Sequence, residues 1–369
     1  MKKERILVAM SGGVDSSLAA ALLLENGFEV IGATMKTFCY TENSGSSKTC
    51  CGLDGIADAQ NVSELLGIPH YVFDVEKEFT TNVIDDFVSE YSVGRTPNPC
   101  VRCNSNTKFP DLFAKGRQMG CTGIASGHYV RISHTNGQPH ILYRGKDSKK
   151  DQSYFLWDLP KEMLPFLHFP VGHLDKDTVR EKARTLNLVT ADKPESQEIC
   201  FVPTGNYRDL LERRLPARHP SLQPGPIVTL DGTEIGQHEG FANYTVGQRK
   251  GLGGGRGDPF YVIEIKAATK EIVVGTKEQC FQPGLEVGNL NWLSDFPLPG
   301  SEIGVQIRYR AKDVPANILS VGDIIVLEFK DPQRGITPGQ SAVFFSGDQI
   351  VGGGRIKSAL SRDDFSLKS

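Results

Sequence analysis

The sequence predicts an α/β fold in which an N-terminal doubly wound parallel sheet is followed by a small β-rich central domain and a C-terminal β-barrel. Three observations predict it. Apolar runs alternate with helix-patterned segments from residue 5 to about residue 128, and a glycine turn follows the first run at once. Beyond about residue 205, Pro216, Pro220, Pro224 and Pro226 mark a boundary, and short alternating runs take over. With 369 residues, more than one domain is required, and we divide the chain at 1–210, 211–283 and 284–369.

The elements follow in order. Ile6-Leu7-Val8-Ala9-Met10 is a buried strand, and Val14 to Asn26 carries Val14, Leu18, Ala21 and Leu22 on a helix stopped by Gly27. Val30 to Thr34 is a second strand, 53–66 a helix ended by Gly67, His70 to Asp74 a third strand and 78–92 a further helix. Segment 41–48 is polar and small, and 94–104 reads as a loop stiffened by Pro97 and Pro99. Ile124 to His128 is a strand running into a glycine turn. Later turns sit at Asp231-Gly232, Gly253 to Gly255 and Pro283-Gly284, with strand-like runs at Val321 to Phe329 and Ser341 to Phe345.

Composition narrows the function classes. The chain is 39% hydrophobic and 23% charged, and no stretch approaches the apolar length of a membrane span. Only five apolar residues stand between the charged start and Ser11, too few for a signal-peptide core, so a cytoplasmic protein with no membrane partner is expected. A net charge of −3 leaves any polyanion to local basic patches. The eight cysteines are then mostly reduced thiols whose spacing bears on catalysis or metals.

Ser11-Gly12-Gly13-Val14-Asp15-Ser16 lies between a strand and a helix, where glycines let the backbone N–H groups face an anion and the helix adds its positive end. The run lacks the Gly-Lys-Ser/Thr ending of a Walker loop and the dinucleotide spacing, which leaves the pattern of ATP pyrophosphatases. Cys100 and Cys103 form a Cys-x-x-Cys pair, and Cys200 ends Glu195-Ser196-Gln197-Glu198-Ile199-Cys200. Such thiols can serve as half a zinc site, as iron–sulfur ligands, or as nucleophile and sulfur carrier. Adjacent Cys50-Cys51 is poorly spaced to complete a zinc site, and Cys39, Cys121 and Cys280 have packing neighbours.

Taken with Asn98-Pro99, Cys103-Asn104, Ser126-Gly127-His128-Tyr129, Lys150 to Phe155, Ser196 to Phe201, Tyr244 to Gly251 and Pro338 to Ser341, the order of these strings resembles the tRNA-specific 2-thiouridylase (MnmA, or TrmU) family of the PP-loop ATP pyrophosphatase superfamily. The resemblance implies an adenine nucleotide α-hydrolase-like domain. It implies ATP with Mg2+ as cofactors, and an enzyme that adenylates O2 of uridine 34 of tRNA Lys, Glu and Gln and replaces it with sulfur. By motif, Ala9, Met10, Ser11, Gly12, Gly13, Val14, Asp15, Ser16, Met35 and Gly127 would hold ATP. Cys103 would be the nucleophile and Cys200 the persulfide carrier, with a Cys103–Cys200 disulfide in turnover. Cys100 stands where many members have Asp, and would be a helper or, with Cys103 and Cys200, a ligand of a [4Fe-4S] cluster; both sulfur routes stay open. Asn98, Pro99 and Cys100, with Thr96 beside them, would meet the target base. His128, Lys149, Lys150, Asp151, Gln152, Arg308, Tyr309 and Gln340 would touch the anticodon stem-loop. Partners would be tRNA and a sulfur-donor protein such as a cysteine desulfurase or relay protein, and the chain would be a monomer. Two alternatives stand beside this reading: a small-molecule adenylating ligase of the same class, and a non-catalytic tRNA-binding module.

Overall fold

The computed structural model describes residues 3–37, 53–135, 137–195, 199–202, 205–252, 259–295 and 297–366. Segment 41–48 and Cys39, Cys50 and Cys51 lie outside them. The chain divides into two compact units, one of residues 1–84, 100–205 and 348–350, the other of 85–99, 206–347 and 351–369.

The first unit is the expected parallel sheet. Strands β1 (Arg5–Ala9), β2 (Glu29–Lys36), β3 (His70–Asp74), β4 (Gly123–Ser126) and β7 (Leu167–His168) are ordered β3-β2-β1-β4-β7 and all pair in parallel. The hairpin of β5 (Val130–Ile132) and β6 (Leu142–Arg144) lies between β4 and β7 in sequence. Ile6, Val8 and Ala125 of the sheet pack with Leu18, Ala19 and Leu23 of α1 (Val14–Glu25) and Ala59 and Val62 of α2 (Leu53–Leu66). The chain first builds outward from β1 to β3 and then restarts on the other flank with β4. The carboxyl ends of β1 and β4 therefore border the crevice in which such sheets bind ligands.

Two helical stretches are interrupted by π turns. Helix α3 (Glu76–Phe79) continues through Thr80–Ile84 into α4 (Asp85–Ser92), and α5 (Pro99–Cys103) through Asn104–Lys108 into α6 (Phe109–Gln118). The second corrects the loop expected over 94–104. Proline at the first helical position lacks only an N–H that would be orphaned anyway, so Pro99 starts a helix. Helix α7 (Lys176–Thr185) is capped by Asp175, whose carboxylate accepts from Thr178 N at 2.9 Å.

The second unit contains α8 (Arg208–Arg214) and a four-stranded sheet of β8 (Gly225–Thr229), β9 (Glu234–His238), β10 (Tyr261–Lys266) and β11 (Glu271–Gly275), with its own core of Ile227, Phe241, Val262 and Ile272. It also contains a barrel of β12 (Phe281–Trp292), β13 (Glu302–Gln306), β14 (Val314–Ser320), β15 (Ile325–Arg334), β16 (Ser341–Ser346) and β17 (Gln349–Leu360). Pairing of β12 with β17 closes six strands in the order β12-β15-β14-β13-β16-β17 and removes the open edges. Helix α9 (Arg362–Ser366) follows. Among the described residues, no helix is long and apolar enough to cross a membrane.

Candidate nucleotide site and reactive cysteines

The turn after β1 is held from both sides. Met10 N donates to Ala33 O at 2.7 Å, and Thr34 Oγ1 donates to Met10 O at 2.6 Å, fixing the strand end against β2. Ser16 Oγ donates to Gly13 O at 3.0 Å and accepts from Ser11 N at 3.3 Å, which closes the turn. Gly12 has φ +71, and a Cβ there would lie 2.2 Å from Gly55 O. Gly13 is the N-cap of α1 and contributes no side-chain oxygen, so no cap competes with an anion for the first-turn N–H groups.

Gly127, after β4, packs against the same helix start, and a Cβ there would lie 2.5 Å from Asp15 C and 2.6 Å from Ser16 N. Both are backbone atoms and cannot swing aside. Gly127→Ala is expected to displace the first turn of α1 at an overpacking cost of about 1–3 kcal/mol. ATP affinity should weaken about 5- to 150-fold, as read by nucleotide titration. Met35 is buried on β2, with Phe73 of β3 as its register partner.

A charged network surrounds Asp15. Lys176, with 9% of its side chain exposed, donates to Asp15 Oδ1 and Oδ2 at 2.7 and 2.8 Å and pairs with Glu195 Oε1 at 2.7 Å. Lys150 donates to Glu195 Oε2 at 2.6 Å, and Tyr129 OH donates to Asp15 Oδ1 at 2.6 Å. Burial and then the charge of Asp15 push the Tyr129 phenol far up, so it remains a donor. Burial opposes the charge on Glu195, but hydrogen bonds and charge from Lys150 and Lys176 outweigh it and hold the carboxyl down at about 2. Lys193 donates to Gly12 O at 2.9 Å and pairs with Asp58 of α2. Two lysines thus stand against the glycine turn and the start of α1. None of Tyr129, Lys176, Lys193 and Glu195 was assigned a role from sequence; Tyr129 and Glu195 lie within quoted strings, whereas no motif marks Lys176 or Lys193.

Cys100 and Cys103 lie one helical turn apart on α5, a spacing that puts two side chains on one face. Cys100 is exposed and Cys103 half-buried. The π turn that follows keeps Asn104 buried, its amide donating to Phe155 O at 3.2 Å. Cys200 is half-buried in a short turn closed by Val202 N to Ile199 O at 2.9 Å, and the next residue, Phe201, meets Phe79 edge-on. Cys121 and Cys280 are buried, and burial raises both thiols. Among the described residues, no three His, Cys, Asp or Glu side chains gather to hold a metal ion.

The expected RNA contacts divide between the units. In the first, Asp151 accepts from Gly145 N at 2.8 Å and Ser153 Oγ at 2.6 Å, and Gln152 Oε1 accepts from Tyr129 N at 2.9 Å. Both shape the 144–153 loop. Lys149 N donates to Asp147 Oδ1, and the Lys150 ammonium is engaged by Glu195. His128 shares a 2.7 Å hydrogen bond with Ser126 Oγ and packs near Phe109; burial, then Lys108, hold its imidazole well below the usual range. In the second unit, Arg308, Tyr309 and Arg310 are exposed, with the Arg310 guanidinium over the Tyr309 ring. Thr96 and Asn98 are half-buried and Pro99 is buried, while the Gln340 amide is turned to backbone carbonyls at 96 and 97.

Comparison with known proteins places the whole chain. Family models described as "tRNA methyl transferase HUP domain", "tRNA methyl transferase PRC-barrel domain" and "Aminomethyltransferase beta-barrel domain" match residues 4–204, 208–276 and 282–356. A protein of Carboxydothermus hydrogenoformans named tRNA-specific 2-thiouridylase MnmA is 46% identical over 364 residues, 97% of this chain and 99% of that relative. Relatives of the same name from Geobacter metallireducens and Amoebophilus asiaticus are each 45% identical, over 97% and 99% of this chain and 98% of each relative. With a glycine turn at the switch point of its parallel sheet and identity sustained from end to end, the chain belongs to the tRNA-specific 2-thiouridylase family.

Proposed function

We propose that this chain is an ATP-dependent tRNA uridine 2-sulfurtransferase acting at wobble position 34 of tRNA Lys, Glu and Gln. The observation that carries the reading is the lysine-flanked glycine turn, in a chain aligned over nearly its full length with relatives named for 2-thiouridine formation. ATP enters with Mg2+ bound to its phosphates, and pyrophosphate sits against the turn and the start of α1. Uracil O2 attacks the α-phosphorus, the bond to the β-phosphate oxygen breaks, and pyrophosphate leaves as N3 loses its proton. Cys200, loaded as a persulfide by a sulfur-donor protein, attacks C2 through its terminal sulfur, and AMP departs with the original O2. The Cys103 thiolate then attacks the Cys200 sulfur. The sulfur–sulfur bond to the base breaks, 2-thiouridine is released with a proton returned to N3, and a Cys103–Cys200 disulfide remains for a cellular dithiol to reduce.

Cys100 would orient the reacting groups in place of the carboxylate that many members carry. No step passes through a cluster. Methyl transfer, the activity in two of the family-model descriptions, has no use for a pyrophosphate turn. We place the enzyme in the cytoplasm as a monomer. The test is anaerobic incubation of iron-free protein with ATP, Mg2+, a persulfide donor and tRNA, followed by nucleoside mass spectrometry. One 2-thiouridine per AMP and per pyrophosphate is expected. AMP release without RNA and no thiolated nucleoside would point to a small-molecule ligase, and tRNA binding without AMP to a binding module.

A further inference from the structure

We propose that His134 and His140, at the tip of the β5–β6 hairpin, form a two-histidine chelate for a late first-row divalent cation such as Zn2+ or Ni2+. Both residues lie in the first unit, and no step of the proposed reaction uses them.

The register of the hairpin brings the two rings together. Ile132 pairs with Leu142, and Ser133 N donates to Ile141 O at 3.0 Å, so the next step sets His134 opposite His140. Opposed residues that do not exchange backbone hydrogen bonds have the closest side chains in an antiparallel ladder. The two Nδ1 atoms are 3.2 Å apart. Ligand nitrogens bound at about 2.05 Å stand about 2.9 Å apart at a right angle and about 3.3 Å apart at the tetrahedral angle, so the pair already has the bite of a metal site.

His134 is set for this by what holds it. Its Nε2 lies 2.8 Å from Leu167 O, a carbonyl that only accepts, so Nε2 carries the hydrogen and Nδ1 presents a lone pair to His140. A backbone carbonyl on the far nitrogen is the common support of a metal-bound imidazole. The His168 ring packs against His134 at 5.0 Å between centroids. Burial, then His134, holds the His168 imidazole down at about 4, so it adds no positive charge to oppose a cation. Burial also lowers His134 and favours its neutral, ligating form.

Without a cation the tip is short of hydrogens. Ile141 N is spent on Ser133 Oγ at 3.2 Å, and Ser133 O faces His140 Nδ1 at 3.2 Å. One hydrogen on His140 Nδ1 must therefore serve both Ser133 O and the lone pair of His134 Nδ1. A cation seated between the rings satisfies both nitrogens. It gives up two waters, and the His140 hydrogen moves from Nδ1 to Nε2 through solvent. Two side chains are the protein's share; His134 is exposed and His140 half-buried, so water fills the remaining positions. Imidazole suits Zn2+ and Ni2+, whereas Mg2+ takes oxygen ligands, so this cation is not the one that enters with ATP.

The test uses the full chain, stripped of metal, kept reduced and carrying nitrogen-labelled histidine rings, titrated with Zn2+ in millimolar Mg2+. The ring signals of His134 and His140 should shift together and saturate with one Zn2+, and amide exchange at residues 132–142 should slow at least about fivefold. His140→Gln and His134→Phe should each weaken this binding at least about 10-fold, with His173→Gln within about twofold of the parent. Zn2+ taken up by the thiols alone would leave both rings unmoved and overturn the proposal. So would a response of one ring without the other, or displacement by Mg2+. His134→Phe also gives up the bond to Leu167 O, so His140→Gln decides: unweakened Zn2+ binding in that variant, with metal-free exchange equal to the parent's, would overturn the chelate as well.

Discussion

Cys200→Ala is expected to abolish formation of 2-thiouridine, by at least about 10³-fold in single-turnover experiments, while tRNA Kd stays within about twofold and pyrophosphate release continues. The asymmetry follows from the order of steps. In the proposed sequence, adenylation of uracil O2 would use the glycine turn and the lysines and the persulfide would be required only afterwards, so the variant should strand an adenylated base. Millimolar sulfide, small enough to attack C2 directly, should restore part of the product. Cys103→Ala should behave differently: an external dithiol can cleave the mixed disulfide between base and Cys200, so its defect should shrink as dithiothreitol is raised. Full thiolation by Cys200→Ala, or identical responses of the two variants to sulfide and dithiothreitol, would end the assignment of separate roles.

What could be read in the sequence was what neighbouring residues decide. The run Ile6 to Met10, the glycines at 12 and 13 and the helix stop at Gly27 belong to one stretch of about 20 residues, and propensity and periodicity suffice to place them. The switch point between β1 and β4 is a matter of strand order, which counting strands and helices does not give. Pro99 reads as part of a loop because it and Pro97 stiffen the backbone around Asn98, yet at the first helical position proline favours the helix that follows. The π turn at Asn104–Lys108 has no periodic signature at all. Lys176 and Asp15 are 161 residues apart, and nothing in a single sequence pairs one lysine with one carboxylate among dozens. Closure of the barrel by β12 on β17 is likewise invisible in strands read one at a time. Gln340 shows the limit of motif matching: the string suggests that the residue matters, while only coordinates show where its amide hydrogens point.

Lys176→Met should cost both stability and turnover, for reasons that can be separated. Lys176 and Lys150 together balance Asp15 and Glu195, so the cluster is neutral before nucleotide arrives. Removing one ammonium leaves two carboxylates sharing a single cation beside the turn. Breaking a fully buried pair costs about 3–5 kcal/mol. Asp15 and Glu195 retain 29% and 26% exposure, so about 2–3 kcal/mol is expected here, read as a lower denaturation midpoint at unchanged m. ATP-dependent turnover should fall further, about 10²- to 10³-fold, the scale for losing one preorganised charge at a reacting phosphate. The double variant Lys176→Met with Glu195→Gln removes the excess negative charge, so stability should recover in large part. Turnover should not recover, because a neutral amide restores no cation to the pyrophosphate. Recovery of both would make Lys176 a structural counterion to Asp15 and Glu195 and nothing more.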